Sequence, residues 1–279
     1  MAFLLLQIAV PGSNELSWTF LTPEIPDGSL ILDCRSDAQY RESTIKGALG
    51  ASFAKKPFGS GPQSMAKLSG YIEDIRNRMK DHSGILVFDE GQGMYACRLA
   101  WLLQSSGIKD FLILSRKFSE LDASEIGAGK ETLEPPPAEK PIALQGICSI
   151  SHVQINLTKV QLVDVRTPEE HEGKLPRMIS PEAGSVCGKI PGSMNFDWRR
   201  LYDKKGNLRP RPEVLTGIRS MGLIPERPTI LYDFNGARSS TMALVLTRCG
   251  YKHVSVYLGS WMEWRKSALP KQNYKVWNP

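Results

Sequence analysis

The chain has 279 residues, 41% hydrophobic and 23% charged, a globular composition long enough for about two domains. Its formal charge of +6 is dispersed and gives no ground for nucleic-acid binding, and no apolar run approaches the ~18 residues of a membrane-spanning helix. Five cysteines (Cys34, Cys97, Cys148, Cys187, Cys249) form no CxxC pair, and the four histidines are scattered, so neither a metal cluster nor a disulfide framework is expected; a reducing intracellular compartment, cytoplasm or mitochondrion, fits best.

The longest N-terminal apolar run, Ala2 to Val10, is interrupted by Gln7 and lacks the flanks of a secretory signal; Met1 to Glu15 carries no arginine or lysine and does not read as a transit peptide. The first strand pattern is Leu30-Ile-Leu-Asp-Cys-Arg35, an apolar run closing on Asp-x-Arg. Gly84-Ile-Leu-Val-Phe-Asp89 is a second buried strand, stopping at an aspartate before a glycine-containing loop. A helix-period stretch from Met94 to Gln104 ends at Gly107, and Phe111–Leu114 is a third strand. Gly127 to Pro141, with Pro135-Pro136-Pro137, reads as an extended connector.

The same order then recurs. Gln161-Leu-Val-Asp-Val-Arg166 repeats the Asp-x-Arg strand, and Thr229-Ile-Leu-Tyr-Asp233 repeats the strand that stops at aspartate. Ser239–Arg248 repeats the helix with Gly250 behind it, and Val254–Leu258 the last strand. The second copy carries about a dozen extra residues, placed in the Pro/Gly-rich loop Glu172–Lys189. Strands alternating with helices imply a tandem α/β protein, each half a parallel sheet flanked by helices: residues 15–126, a Pro-rich linker over 127–142, and 143–279. Ligands of such sheets bind beyond the carboxyl ends of the strands, which points to the loops after Asp89 and Asp233.

The second half carries ordered motifs: Leu162-Val-Asp-Val-Arg-Thr-Pro-Glu-Glu-His171, Gly188-Lys-Ile-Pro-Gly-Ser-Met-Asn195, Gly206-Asn-Leu-Arg-Pro210, Tyr232-Asp-Phe-Asn-Gly-Ala-Arg-Ser-Ser240 and Tyr257-Leu-Gly-Ser-Trp-Met-Glu-Trp264. With the more degenerate Ile45-Lys-Gly-Ala-Leu-Gly50 of the first half, the chain resembles the tandem rhodanese family, the thiosulfate and 3-mercaptopyruvate sulfurtransferases. The resemblance implies two rhodanese-like domains, no cofactor or metal, and a sulfur relay in which a cysteine opening the second-domain loop takes sulfur from a small anionic donor as a persulfide.

In this sequence the position implied for that cysteine is Asp233, followed by Phe234, Asn235, Gly236, Ala237, Arg238 and Ser239. A carboxylate forms no persulfide. Asp89 holds the equivalent place in the first half, as in the family's non-catalytic first domains. Glu170 stands where the tandem enzymes carry a donor-binding arginine, so repulsion of an anion is expected there. Asp233 is expected to accept loop amides and pair with Arg238, while Asp33 with Arg35 and Asp164 with Arg166 are expected to be structural charge pairs. His171 and His253 are read as surface or packing residues, Cys187 as an ordinary loop thiol, and Trp261 and Trp264 as packing of the last helix. The cluster Arg199, Arg200, Lys204, Lys205, Arg209 and Arg211 reads as a solvated loop or a docking face for an acidic partner.

The expected function is therefore a pseudoenzyme: a binding or structural subunit, with a protein partner or larger assembly in view. The alternative is a working sulfurtransferase using thiosulfate or 3-mercaptopyruvate. It requires that Asp233 be an engineered replacement or that another cysteine take over.

Overall fold

The computed structural model describes residues 18–91, 93–180 and 184–277, so the apolar run Ala2–Val10 and the Met1–Glu15 leader reading lie outside the described residues. Each half forms a five-stranded parallel sheet. In the first, Leu21–Thr22, Leu30–Asp33, Leu49–Gly50, Ile85–Phe88 and Phe111–Leu114 lie side by side in the order first, fifth, fourth, second, third. In the second, Ile147–Cys148, Gln161–Asp164, Met194–Asn195, Thr229–Tyr232 and Val254–Tyr257 take the same order. The duplication seen in the motifs is thus a duplication of topology, and the parallel α/β expectation holds.

The central strands Leu30–Asp33, Ile85–Phe88, Gln161–Asp164 and Thr229–Tyr232 are buried at every position, as parallel strands covered on both faces require. Register then sets the site. Asp33 lies beside Phe88 and Asp164 beside Tyr232, so each Asp-x-Arg turn leaves the sheet next to an aspartate loop.

The helices after those loops, Met94–Ser105 and Ala237–Arg248, pack on each other and form the centre of the domain interface. Both are buried on almost all sides, because each lies between its own sheet and the partner helix; an amphipathic stripe has no place there. One apolar core runs through both halves, joining Leu99, Leu102 and Leu103 to Leu244, Val245 and Leu246. At the edges of the interface, the Ser60 amide and hydroxyl donate to Glu263 at 2.9 and 2.8 Å, Arg248 donates to Gln104 Oε1 at 3.0 Å, and Trp18 Nε1 donates to Arg209 O at 2.9 Å.

The Pro-rich connector is stitched onto the first sheet. Gly50 N donates to Glu131 O at 2.9 Å, Leu133 N to Gly50 O at 2.8 Å, and Ala138 N to Ala66 O at 2.9 Å. The Tyr40 hydroxyl accepts from the Lys130 and Glu131 amides as well.

The segment Glu172–Lys189 departs from the loop expected of it. Arg177–Ser180 and Gly184–Lys189 are antiparallel strands, and the second pairs with Gln272–Trp277 near the C-terminus. Local composition said loop, but the hydrogen-bond partner comes from some ninety positions downstream. Cys187 is consequently not an exposed loop thiol. It is 1% exposed, its Sγ 3.7 Å from Asn273 O and 3.8 Å from Lys275 O.

Candidate functional site: two aspartate loops

Asp233 follows the strand Thr229–Tyr232 and precedes the helix that starts at Ala237, so its carboxylate meets the unpaired amides of a helix N-terminus. Asn235 N–H and Gly236 N–H both donate to Oδ1 at 2.6 Å, and Ser239 N–H donates to Oδ2 at 2.8 Å. Gly236 has φ +89°, and a Cβ there would sit 2.8 Å from Leu258 O; the tight return of the loop needs glycine. The segment after the last sheet strand clamps the loop from above. Trp261 N donates to Asp233 O and Met262 N to Phe234 O, each at 3.0 Å, and Asp233 N donates to Ser260 Oγ at 3.2 Å. From Tyr232 to Ser240 only Asn235 is even partly exposed.

Arg238 does not pair with Asp233 as expected. Its guanidinium forks onto Glu170, with Nη1 to Oε2 at 2.7 Å and Nη2 to Oε1 at 3.2 Å, both side chains buried. Three backbone amides already occupy the Asp233 carboxylate, and the geometry that suits a guanidinium is the planar fork that Glu170 offers from the helix Pro168–His171. Burial pushes the Glu170 carboxyl up, but the Arg238 hydrogen bond and charge outweigh it and hold it below the usual glutamate range. Glu170 therefore neutralises the loop arginine, and a second arginine at 170 would face Arg238 with no counter-charge.

Asp164 is the centre of a buried network. Arg166 Nε donates to Oδ1 at 2.9 Å and Nη2 to Oδ2 at 2.6 Å, and the Tyr232 hydroxyl donates to Oδ2 at 3.0 Å. His171 Nδ1 lies 3.0 Å from the same oxygen, while Lys189 Nζ is 2.9 Å from His171 Nε2. An ammonium only donates, so Nε2 accepts and the ring proton sits on Nδ1, aimed at Asp164. Burial alone would raise the Asp164 carboxyl; the Arg166 charge and the His171 hydrogen bond reverse this and hold it far below the aspartate range. The first half has the simpler pair, Arg35 Nε and Nη2 donating to Asp33 at 3.0 and 2.7 Å, with Thr44 Oγ1 donating at 2.8 Å. Tyr232 and Lys189, which complete the Asp164 network, carry no local sequence signal.

The Asp89 loop repeats the cradle but stays open. Gly91 and Gly93 amides donate to Oδ1 at 3.0 and 2.9 Å, and Tyr95 and Ala96 amides to Oδ2 at 2.9 and 3.2 Å. Burial raises the Asp89 carboxyl against the pull of these amides. Glu90 is exposed, and a cavity of about 340 Å³ opens between Arg35, Lys55, Glu90 and Tyr95.

Between the loops lies Arg98, fully buried on the first interface helix, with Nη1 donating to Ala54 O at 3.3 Å. Its Nε and Nη2, like Tyr202 Oη and Ser239 Oγ, have no hydrogen-bond partner among the described residues. Burial lowers the Arg98 pKa to about 10, and the Asp233 carboxylate acts in the opposite sense. The sequence offered no hint that a first-half arginine answers to the second-half aspartate.

Of the remaining residues, Trp261 and Trp264 are wholly buried. In the basic cluster Arg199 pairs with Asp197, and Arg209 with Glu213 at 3.2 Å, so part of its charge is compensated. Among the described residues, no helix is long and apolar enough to cross a membrane.

Comparison with known proteins agrees with this geometry. The family model described as Rhodanese-like domain matches twice, over residues 21–123 and 152–267. The thiosulfate sulfurtransferase of Pseudomonas aeruginosa is 28% identical over 254 residues, covering 88% of this chain and 91% of that protein. The 3-mercaptopyruvate sulfurtransferase of Escherichia coli K12 is 24% identical over 196 residues, covering 68% of each chain. The structure of 3-mercaptopyruvate sulfurtransferase from Leishmania major superposes with a TM-score of 0.63 at 20% identity, covering 85% of this chain and 70% of that one, a likeness of fold.

Proposed function

This chain belongs to the rhodanese-like domain family, and within that family we propose that it is a non-catalytic member, a binding or structural subunit rather than a working sulfurtransferase. The observation that carries the reading is the Asp233 carboxylate, seated on the Asn235, Gly236 and Ser239 amides. Amides converging ahead of a helix N-terminus are what a thiolate or persulfide anion needs. Here a carboxyl group without nucleophilic sulfur fills the place, and Glu170 neutralises the arginine that would help to draw in an anionic donor.

The surroundings of the loop give a relay no other thiol. The loop is closed by the 258–262 segment, and Cys34, Cys97, Cys148 and Cys187 are buried. Cys249, the one partly accessible thiol, sits at the far end of the interface helix, at the cap after Arg248. The partner of such a subunit is a protein, with Arg200, Lys204 and Lys205, which form no ion pair among the described residues, as the face for an acidic surface. Cyanide-dependent formation of thiocyanate from thiosulfate, and pyruvate release from 3-mercaptopyruvate, are expected at the uncatalysed background. Turnover above background would refute the reading, and its loss in Cys249→Ser would place the relay on that thiol.

A further inference from the structure

The centre of the domain interface holds a cation without a carboxylate of its own. Arg98, on the helix Met94–Ser105, is fully buried, and its one hydrogen bond runs from Nη1 to Ala54 O at 3.3 Å. Nε and Nη2 have no hydrogen-bond partner, and the guanidinium forms no ion pair, among the described residues. The Phe58 ring lies 5.4 Å from its Cζ. A lone buried charge is costly, so a counter-charge has to reach it through the interface.

The packing around Arg98 leads to the second aspartate loop. Two residues beyond Phe58, the Ser60 amide and hydroxyl donate to Glu263 at 2.9 and 2.8 Å. Directly before Glu263, the Trp261 and Met262 amides donate to the Asp233 and Phe234 carbonyls, each at 3.0 Å. From the other side, the helix packed on Met94–Ser105 starts at Ala237, and its Ser239 N–H donates to Asp233 Oδ2 at 2.8 Å. The titratable groups that act on Arg98 are Asp233 and, from its own helix, Tyr95.

Asp233 in turn acts on two arginines, Arg98 and Arg238. Arg238 is matched by its fork onto Glu170, which leaves Arg98 as the unmatched cation. The asymmetry is specific to this loop. Counted from the glycines that open the two helices, Gly93 and Gly236, the place of Arg98 is held in the second helix by the uncharged Thr241.

We propose that Arg98 is a positioning residue of the second-domain loop, supplying from the first domain the charge that keeps an anion at position 233. In this chain the anion is the Asp233 carboxylate. The two groups belong to different domains, so their attraction favours the closed interface as well as the filled loop. This role goes beyond the non-catalytic reading and is independent of it, because it concerns the charge at 233 and not a nucleophile.

The test follows the thiol of full-length Asp233→Cys by thiolate absorbance across pH, with the wild-type signal subtracted, in the presence and absence of Arg98→Met. A nearby cation holds a thiol pKa down, so Arg98→Met should raise it and leave about tenfold less thiolate at neutral pH. Arg98→Lys keeps the charge and should leave the thiol close to its parent. The Asp89→Cys thiol should not respond, since Asp89 is not among the groups that act on Arg98. Circular dichroism verifies folding, and Arg98→Gln takes the place of Arg98→Met if the latter does not fold. The carboxylate itself is read in urea: Arg98→Met and Asp233→Asn together should lower the midpoint by less than their separate losses add up to. An Asp233→Cys thiol unmoved by Arg98→Met would overturn the proposal. So would an equal response of Asp89→Cys, an Arg98→Lys as disruptive as Arg98→Met, or additive midpoint losses.

Discussion

Arg238 and Glu170 stand 68 positions apart and meet in a buried fork, 2.7 and 3.2 Å between guanidinium and carboxylate. The pair fastens the helix Pro168–His171 to the second aspartate loop and removes the loop's free positive charge. Removing one partner strands the other charge in the interior. Glu170→Ala is expected to lower unfolding stability by about 3–5 kcal/mol in urea titration, whereas Glu170→Met combined with Arg238→Met should restore most of the loss. A single-variant loss below about 1 kcal/mol would mean the pair is solvated.

Asp164 sets the acid limb of stability. Its folded-state carboxyl lies below its unfolded value of ~3.9, so its contribution is full above that value and is lost as pH falls through and below it. Glu170, also depressed, acts in the same sense. Asp89 has the opposite sign: its raised carboxyl makes deprotonation a cost, which grows as pH rises above the unfolded value. Urea midpoints between pH 3 and pH 7 should fall steeply on the acid side in the wild type. Asp164→Asn should start lower at pH 7 and fall less, and Asp89→Asn should rise more steeply between pH 4 and pH 6 than the wild type.

The thiols give a quick check on burial. Burial pushes the Cys34 and Cys97 thiols well up and Cys148 to about 12, and Cys187 is enclosed between strands. Ellman's reagent should therefore titrate one thiol, Cys249, in the native protein and all five after denaturation. Rapid native reaction of a second thiol would show that one of the packed cysteines is reachable.

The strands and the interface helices were legible because they are continuous apolar runs punctuated by Asp and Gly; Met94–Gln104 was expected as a helix and Met94–Ser105 is one. The Asp-x-Arg pairs were legible because two residues of sequence contain the whole contact. What escaped was non-local. Local turn logic joined Arg238 to Asp233, since nothing in the sequence shows Glu170 arriving from another helix. The strand Gly184–Lys189 was hidden because its partner, Gln272–Trp277, lies at the other end of the domain. Arg98 was unreadable for the same reason: it is wholly buried, and the Asp233 carboxylate that acts on it comes from the other half of the chain.

A cysteine placed at 233 tests what the loop retains. The amides that hold the carboxylate would receive a thiolate, so the Asp233→Cys thiol should have a pKa below the free value of ~8.5. Weak thiosulfate:cyanide transfer is expected, held down by the closed loop and by the Glu170–Arg238 pair. Asp89→Cys should be alkylated through its open cavity yet transfer no sulfur, because the loop itself carries Glu90 and no arginine in the place of Arg238. A folded Asp233→Cys with an inert thiol would show that the cradle serves the carboxylate alone.

The most direct measurement is the intact mass of the unmodified protein after incubation with thiosulfate, and again after cyanide. A non-catalytic chain takes up no cyanide-labile sulfur, so its mass should stay unchanged within a tolerance well below the ~32 Da of one sulfur atom on a thiol. A stoichiometric gain of that mass, reversed by cyanide and mapped to any of the five cysteines, would contradict the account.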